Sequence, residues 1–393
     1  MLEYIDEQKE FGKLCKMLNG AEILAVDTEF IGERTYYPKL ALVQIGYKGK
    51  AYIIDPVALK DLSPLNNVLS NPDTIVLMHN GDIDSSILYR ACGATVPNLF
   101  DTQLAAAFAG MAEQIGLVSL VRKVTGKRLA KGQQVTNWLK RPLTSKQISY
   151  AAEDVLYLEE IYYYLVKILK RNRRLKYYEE EMALKREKWA APIDIAARFK
   201  KMLSSSRLTV RKREALLRLL TWREETAQDK DKPRRHILSD EALSALADQL
   251  PKDKSDLRNL RLVSDKAAKN YCDDILAVCN TVRDMSDSRL PKKRQPNTNG
   301  KRTKSKIPAV KMAMEVIADE VGIAHGIIAR AAEIEELCRL ASQSKTPPDL
   351  PCMKGWRGRL VGKRLWKFAR GEAVLRIGHD HSSPAVILEE IKK

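Results

Sequence analysis

The 393-residue sequence lacks the features that mark secreted, membrane-spanning or zinc-binding proteins. Its six cysteines include no Cys-x-x-Cys pair, and its five histidines form no cluster at zinc-ligand spacing. No apolar run reaches the ~18 residues that a transmembrane helix needs. The first ten residues, MLEYIDEQKE, are acidic where a signal peptide would be basic and then apolar. We therefore expect a reduced, cytoplasmic protein with no membrane association.

Aromatic residues are also scarce, at 6% of the chain, so few platforms for base stacking are expected. Positive charge is abundant, with a net charge of +18 at pH 7. Residues 1–165 carry 17 Lys and Arg against 19 Asp and Glu, a net charge of −2; the remaining residues carry 51 against 31, a net charge of +20. So basic a C-terminal part is typical of proteins that bind nucleic acid, with a solubilising surface as the alternative.

The order of local patterns predicts an α/β domain followed by all-α modules. Branched apolar runs predict strands at residues 23–26, 40–45, 51–54 and 74–78, the first three arranged as an antiparallel meander. Helical periodicity predicts helices at residues 7–18, 62–69, 84–90 and 103–108, and it dominates from residue 118 onward.

Two breaks divide the helical part. Pro192 marks the first break. The second break, residues 286–307, holds two prolines, a glycine and eight Lys or Arg, which predicts a flexible basic linker. The chain is therefore predicted to contain five segments. They are an N-terminal domain (1–190), a first helical domain (204–285), the linker (286–307), a second helical domain (308–375) and a C-terminal tail (376–393).

Two carboxylates follow the first predicted strand. Asp27 and Glu29 are two residues apart in ILAVDTEF, which places both side chains on one face of an extended chain. Adjacent acids on a buried strand stay ionised only when a cation or hydrogen bonds compensate their charge, so metal binding would explain them. For the pair taken alone, a solvated turn is the simpler explanation.

Further acidic positions lie on predicted helices. Asp84 comes after the strand at 74–78, where either an active-site role or helix capping by Asp82 or Asp84 would explain it. Tyr150 and Asp154 are four residues apart and share one helical face, with small alanines between them. Taken singly, a core tyrosine and a surface aspartate are the simpler explanation for that pair.

Together and in this order, the motifs resemble the DEDDy subgroup of the DEDD exonuclease superfamily, the subgroup typified by ribonuclease D. The motifs that carry the resemblance are DTEF (27–30), HNGDID (79–84), YAAED (150–154), RTYYPKLALVQIG (34–46), DTQLAAAF (101–108) and WLKRPLT (138–144). The sister DEDDh subgroup has a histidine where Ser149 stands here, whereas Tyr150 matches the DEDDy tyrosine. The resemblance implies an RNase H-like exonuclease domain, with a mixed sheet flanked by helices.

The resemblance also implies a 3′-to-5′ exoribonuclease in which four acids bind two divalent cations and a tyrosine orients the attacking water. Those roles carry over to Asp27, Glu29, Asp84, Asp154 and Tyr150. Hard oxygen ligands favour Mg²⁺ or Mn²⁺ over zinc. Because a phenol ordinarily ionises near pH ~10, we expect the tyrosine to position the water rather than remove its proton.

Residues beside these motifs are candidate contacts for the RNA substrate: Phe30, His79, Gln103, Lys131, Trp138 and Arg141. The stretch from Lys131 to Arg141 resembles the family's segment leading into the last motif, but an ordinary surface loop has the same composition. We interpret His79, the histidine nearest the motifs, as a supporting or structural residue rather than a base.

The basic part resembles the helicase-and-RNase-D C-terminal (HRDC) domain at residues 204–285, through RKREALLRLLTW (211–222) and HILSDEALSALADQLP (236–251). Residues 308–375 occupy the place of a second such domain, and CMKGWRGRLVG (352–362) resembles the family's closing segment. The predicted fold is therefore an α/β exonuclease domain followed by one or two all-α HRDC-type domains. Such modules would grip RNA in a sequence-independent, salt-sensitive manner.

The expected substrate is RNA with a free 3′ end, from which a monomer releases nucleoside 5′-monophosphates. The resemblance implies 3′ maturation of transfer-RNA precursors, with ribosomal or small structured RNA precursors as the alternatives. Two other functions stay open. A repair-type DNA 3′-to-5′ exonuclease would use the same acids, because the hydrolysis does not need a 2′-hydroxyl. A non-catalytic RNA-binding protein would usually have lost an acid, and none of the four is missing here.

Overall fold

The computed structural model describes residues 2–129, 132, 136–189, 195–203, 208–290, 300–378 and 386–391. The chain forms two compact units, one from residues 1–29, 40–189 and 297–393 and the other from residues 30–39 and 190–296. Within the described ranges, every helix is too short or too polar to cross a lipid bilayer.

A six-stranded mixed sheet forms the centre of the first unit. Its strands are β1 (Leu2–Ile5), β2 (Ile23–Ile31), β3 (Lys39–Tyr47), β4 (Lys50–Ile54), β5 (Ile75–Met78) and β6 (Leu99–Asp101). The order across the sheet is β1-β4-β3-β2-β5-β6. Strand β5 runs parallel to both β2 and β6, β1 is parallel to β4, and β3 is antiparallel to β4. The two edge strands, β1 and β6, were not predicted.

Helices flank this sheet and bury its central strands. They are α1 (Gln8–Leu18), α2 (Pro64–Leu69), α3 (Asp82–Cys92), α4 (Thr102–Phe108), α5 (Leu117–Thr125), α6 (Ser145–Leu156), α7 (Leu158–Arg171) and α8 (Leu175–Trp189). The central strands read as nearly continuous apolar runs because both of their faces are covered. The predicted mixed sheet flanked by helices is confirmed.

The second unit is helical. It contains α9 (Ile195–Leu203), α10 (Val210–Asp229), α11 (Arg234–Ile237), α12 (Asp240–Gln249), α13 (Lys254–Asn259) and α14 (Asp265–Arg283), with a 3₁₀ turn at Asp287–Arg289. Residues 30–39 join this unit through Tyr36, whose hydroxyl donates to Glu224 and whose ring centroid lies 4.6 Å from the Arg234 guanidinium. The Ser239 side chain caps α12 by accepting from the Ala242 N–H at 3.1 Å, as expected for a helix-starting serine.

The C-terminal segment adds mainly helices to the first unit. They are α15 (Gly300–Val321), α16 (Ala331–Ala341), α17 (Gly355–Arg357) and α18 (Lys363–Arg370), with 3₁₀ turns at His325–Ile327 and Pro351–Met353 and a π-helical turn at Gly358–Gly362. Two strands, β7 (Ala373–Ile377) and β8 (Val386–Glu390), pair antiparallel at the end of the chain.

Two details of this segment differ from the sequence-based prediction. Helix α15 starts inside the predicted linker 286–307, because Thr303 and Val310 continue one buried helical face and Lys306 donates to the Ala369 carbonyl at 3.3 Å. The predicted C-terminal tail contains β8, which was missed because a two-stranded pair gives little periodic signal. The assignment of residues 308–375 as a second HRDC-type domain stays a prediction.

Candidate active site

Strand order brings two of the predicted motifs to one edge of the sheet. Strands β2 and β5 are parallel neighbours, with Ala25 opposite Leu77. Asp27 and Glu29 follow the part of β2 that pairs with β5, and Asp84 lies in the first turn of α3, just beyond β5. Because the carboxyl ends of adjacent parallel strands meet at the same edge, these acids lie close together.

Helix α6 carries the third motif against the same sheet. A Cβ atom at Gly46 of β3 would lie 2.8 Å from the Val155 carbonyl oxygen, so only glycine permits this close approach of helix and strand. The start of the helix is fixed by a capping box, in which Gln147 and Thr144 exchange hydrogen bonds of 3.0 and 3.3 Å. The buried Ala151 adds no bulk between helix and sheet.

The carboxylates converge in the way that the spacing predicts. Asp27, Glu29 and Asp154 each offer an oxygen atom within 4.8 Å of the others. Asp84 is buried beside them and accepts a hydrogen bond from the hydroxyl of Thr28. The Tyr150 side chain hydrogen-bonds to Asp154. All five predicted catalytic residues therefore belong to one constellation.

The site holds more negative charge than its surroundings compensate. Burial, followed by the charges of Asp154 and Asp84, raises the pKa of Glu29 to about 8. Burial likewise raises the pKa of Asp154 to about 7, although the hydrogen bond from Tyr150 opposes the shift. The pKa of Asp27 lies well above its ordinary value, again through burial and then through the neighbouring carboxylates.

A hard divalent cation fits this donor set. The converging ligand atoms are all carboxylate oxygens, which Mg²⁺ and Mn²⁺ prefer. Four acids that repel one another in a partly buried pocket are stabilised when cations neutralise them. The residues that would hold such ions are Asp27, Glu29, Asp84 and Asp154.

The raised pKa values predict that cation binding depends on pH. At pH 7 Glu29 and part of the Asp154 population carry protons that must leave when a cation binds. The apparent Mg²⁺ affinity should therefore fall more than about tenfold as the pH is lowered from 9 to 6. Isothermal titration of metal-free protein with MgCl₂ in buffers of different ionisation enthalpy would measure the protons released. An affinity that is constant over this range would contradict the prediction.

Two candidate substrate contacts, His79 and Gln103, form hydrogen bonds within the protein. The His79 ring lies 2.9 Å from the Thr102 hydroxyl through Nδ1 and 2.9 Å from the Ile115 carbonyl through Nε2. The amide of Gln103 donates to the same Ile115 carbonyl at 3.1 Å. Burial lowers the pKa of His79, which favours the neutral ring. Because the Ile115 carbonyl can only accept, Nε2 carries the proton and donates it, so the ring is not a free base. The supporting role of His79 and the substrate contacts of His79 and Gln103 stay predictions.

Trp138 and Arg141 make intramolecular contacts, and their predicted contacts with the substrate stay predictions. Trp138 is only 1% exposed, and its ring centroid lies 6.1 Å from that of Tyr150, so the indole supports the tyrosine from within the core. The Arg141 guanidinium binds both carboxylate oxygens of Asp55 at 2.6 Å and donates to three backbone carbonyls. Phe30 is half-buried on β2 and stays a candidate, whereas Lys131 lies outside the described residues.

The buried ion pair predicts a stability defect rather than an RNA-binding defect for Arg141→Met. Although burial opposes it, hydrogen bonds from Arg141 and Tyr4 hold the pKa of Asp55 below its ordinary value. Removing the arginine leaves a buried carboxylate with its main partner gone, which should lower the free energy of unfolding by about 3 kcal/mol. Urea denaturation at pH 7 measures this, with the exposed Arg128→Met as control. A variant of normal stability with an increased KM for RNA would restore the substrate-contact interpretation.

Sequence reasoning missed two groups that support the acids. The Thr28 hydroxyl donates to Asp84, which lies 56 residues away in the chain, so the local pattern gave no sign of this contact. Lys185 of α8 forms ion pairs with Asp82 and with a second aspartate, which accounts for Asp82 without helix capping. Both contacts join segments that are distant in the sequence.

Comparison with known proteins agrees with this geometry. The sequence profile described as 3′-5′ exonuclease matches residues 2–170, and the HRDC domain profile matches residues 212–279. A ribonuclease D from Desulfotalea psychrophila is 33% identical over 349 residues, which cover 88% of this chain and 93% of that protein. The chain belongs to the ribonuclease D family. A ribonuclease D from Sphingobium indicum is 32% identical over 95% of this chain and 96% of its own length.

A solved ribonuclease D supports the same conclusion at the level of the fold. The crystal structure of Escherichia coli RNase D, described as an exoribonuclease involved in structured RNA processing, matches with a TM-score of 0.82 and 26% identity. The match covers 94% of this chain and 99% of that one. The predicted RNase H-like exonuclease domain followed by an HRDC domain is confirmed, and this ribonuclease D family member is a 3′-to-5′ exoribonuclease.

Proposed function

We propose that this exoribonuclease shortens structured precursor RNAs, transfer-RNA precursors among them, one nucleotide at a time from the 3′ end. The observation that carries the proposal is the convergence of Asp27, Glu29 and Asp154 within 4.8 Å, with Tyr150 bonded to the last of them. The structured-RNA processing ascribed to the E. coli relative supports the class of substrate. Hydrolysis of the terminal phosphodiester leaves a nucleoside 5′-monophosphate.

We assign two divalent cations, Mg²⁺ or Mn²⁺, to the four carboxylates. When bound, such ions polarise a water molecule and neutralise the charge that develops on phosphate oxygens. Asp27, Glu29, Asp84 and Asp154 hold the ions. The large pKa increases at Glu29 and Asp154 support this assignment, because uncompensated acids mark a pocket suited to added positive charge.

Tyr150 orients the attacking water in this scheme. Its ring is supported by the buried Trp138, and its hydroxyl is already committed to Asp154. The hydroxyl therefore has a fixed direction, which suits it to hold a water at a set angle to the terminal phosphate. Its contribution is geometric, and the tyrosine need not lose its proton.

The charge distribution favours RNA held along its backbone. Residues 1–165 have a net charge of −2 and the rest of the chain +20, so the basic part would bind phosphates and the acidic part would receive the 3′ end. Binding of this kind weakens steeply with salt. All six cysteines are free, which agrees with the reducing cytoplasm where such precursors are made, and we propose that the protein acts there as a monomer.

A time course on a 3′-extended transfer RNA tests the proposal. The same molecule without the extension and a DNA strand matched to the extension provide the comparisons, each with Mg²⁺, Mn²⁺ or EDTA. We expect stepwise release of mononucleotides from the extended RNA with either metal, and none with EDTA. Internal cuts would contradict an exonuclease. Faster digestion of the DNA strand would favour the repair-type alternative.

A further inference from the structure

The side chain of Lys185 on α8 lies between two aspartates that have no part in the proposed chemistry. Its Nζ atom is 2.9 Å from Oδ1 of Asp82 and 2.9 Å from Oδ2 of Asp101. The lysine side chain is 19% exposed and that of Asp101 is 2% exposed, so the Lys185–Asp101 pair is largely shielded from water, whereas the Asp82 side chain is 44% exposed. Removing one partner of a shielded pair is costly, because the other charge is left buried and uncompensated.

Both aspartates border the turn that carries Asp84. Asp101 ends β6, and its other oxygen, Oδ1, accepts the Asn80 N–H at 3.1 Å. Asn80 has a φ of +62°, in the left-handed region, and Asp82 is the first residue of α3. The turn between β5 and α3 is therefore fixed at Asn80 through Asp101 and at Asp82 through Lys185.

This turn is tight as well as fixed. A Cβ atom at Gly81 would lie 2.6 Å from the Met78 sulfur, so the chain reverses with no spare room between β5 and α3. Asp84 is only two residues beyond Asp82, in the same first helical turn. A shift of the helix start would move the Asp84 carboxylate away from the Thr28 hydroxyl, which donates to it.

Helix α8 is itself anchored at the same aspartate. The Tyr178 hydroxyl accepts the Asp101 backbone N–H at 2.8 Å, and Tyr178 stands two helical turns before Lys185. Residues seven apart lie on one helical face, so α8 presents both side chains to Asp101. The lysine also reaches Asp82, and therefore the segment that carries Asp84.

We propose that Lys185 is a positioning residue for Asp84. By joining Asp82 to Asp101, its ammonium group holds the first turn of α3 in the register that keeps Asp84 beside the other acids. This inference rests on the proposed function, in which Asp84 is a metal ligand. It assigns to α8 a part in building the active site.

Charge and position predict opposite outcomes for Lys185→Met. If only charge mattered, removal of a cation from the turn that carries Asp84 would tighten Mg²⁺ binding. If the lysine positions Asp84, binding should weaken about tenfold, as is typical when a group supporting a metal ligand is lost. We also expect kcat to fall about tenfold while KM for a short RNA changes less than about threefold.

The experiment is calorimetric titration of metal-free protein with MgCl₂, followed by steady-state kinetics well below the melting temperature. Lys185→Arg, which keeps the charge and several donors, should restore the Mg²⁺ affinity to within about threefold of wild type. The exposed Lys176→Met on the same helix is the matched control and should bind Mg²⁺ as wild type does. If Lys185→Met does not fold, Lys185→Gln makes the same charge change and keeps one donor.

Asp84→Asn, titrated in parallel, distinguishes an error in the proposed metal site from an error in the positioning role of Lys185. If it binds Mg²⁺ as tightly as wild type does, the proposed metal site itself is wrong. If Asp84→Asn loses binding while Lys185→Met binds normally or more tightly, only the positioning role is overturned. Weaker binding in Lys185→Met with recovery in Lys185→Arg supports that role.

Discussion

Replacing Asp27 by asparagine should reduce RNA hydrolysis by at least about a thousandfold, the scale of several kcal/mol of metal-dependent stabilisation. The substitution preserves side-chain volume and removes one negative ligand from a cluster whose oxygens lie within 4.8 Å of each other. The measurement is single-turnover cleavage of a 3′-labelled RNA with saturating Mg²⁺. Asp154→Asn should behave alike, since it belongs to the same cluster.

The stability of the metal-free Asp27→Asn protein provides its internal control. The pKa of Asp27 is raised well above its ordinary value by burial and by like charges, so its ionised form is unfavourable in the folded state. Neutralising it should leave the melting temperature of the metal-free protein at neutral pH equal or higher. The exposed Asp73→Asn is the matched substitution and should keep full activity. Wild-type rates in purified Asp27→Asn would contradict the proposed metal site.

Tyr150→Phe should slow turnover about a hundredfold, the size of effect that a misplaced nucleophile produces. The phenylalanine ring keeps the contact with Trp138, so the substitution removes only the hydroxyl that hydrogen-bonds to Asp154. Because tyrosine is not one of the carboxylate ligands, Mg²⁺ affinity at pH 9 should stay within about threefold of wild type. Rapid-quench kinetics and metal titration measure the two quantities on the same preparations.

The pH dependence of Tyr150→Phe adds a second test. The tyrosine hydrogen bond lowers the pKa of Asp154, which burial otherwise raises to about 7. Without the hydroxyl this pKa should rise further, so Mg²⁺ binding should weaken at pH 7 and recover at pH 9. Tyr89→Phe removes an exposed hydroxyl on α3 and should change neither quantity. Full activity in Tyr150→Phe would remove the tyrosine from the mechanism.

These two variants distinguish the roles of ligand and positioning group. Loss of a carboxylate should reduce both cation affinity and turnover, whereas loss of the tyrosine hydroxyl should reduce turnover alone at high pH. Lys185→Met should resemble a weak carboxylate variant, because it acts through Asp84. The three patterns therefore separate groups that bind the cation, that hold the water and that hold a ligand in place.

The central strands and the first helices were predictable because their signals are local. Predicted strands at 23–26, 40–45 and 51–54 fall within β2, β3 and β4, and the predicted helix 103–108 falls within α4. Edge strands β1 and β6 have four and three residues and were missed. Such short strands are stabilised by hydrogen bonds to a neighbouring strand, β1 by β4 and β6 by β5. They are too short to show a periodic pattern in the sequence.

The start of α15 shows a different limit. Residues 300–307 are rich in lysine and arginine and precede Pro308, which predicts a break when they are read alone. In the folded chain the helix runs through this stretch, because Thr303 is buried and Lys306 is held by the Ala369 carbonyl and the Ser342 hydroxyl. Tertiary contacts overrode local composition there.

The sequence alone predicted which residues bear the chemistry. A spacing of two on a strand and of four on a helix set Asp27 beside Glu29 and Tyr150 beside Asp154, and those periods follow from backbone geometry. The folded structure decided what supports them. Thr28 reaches Asp84 across 56 residues, Arg141 reaches Asp55 across 86, and Lys185 reaches Asp101 across 84. Such pairs form because strands and helices pack together, and a local sequence pattern cannot predict contacts between residues so far apart in the chain.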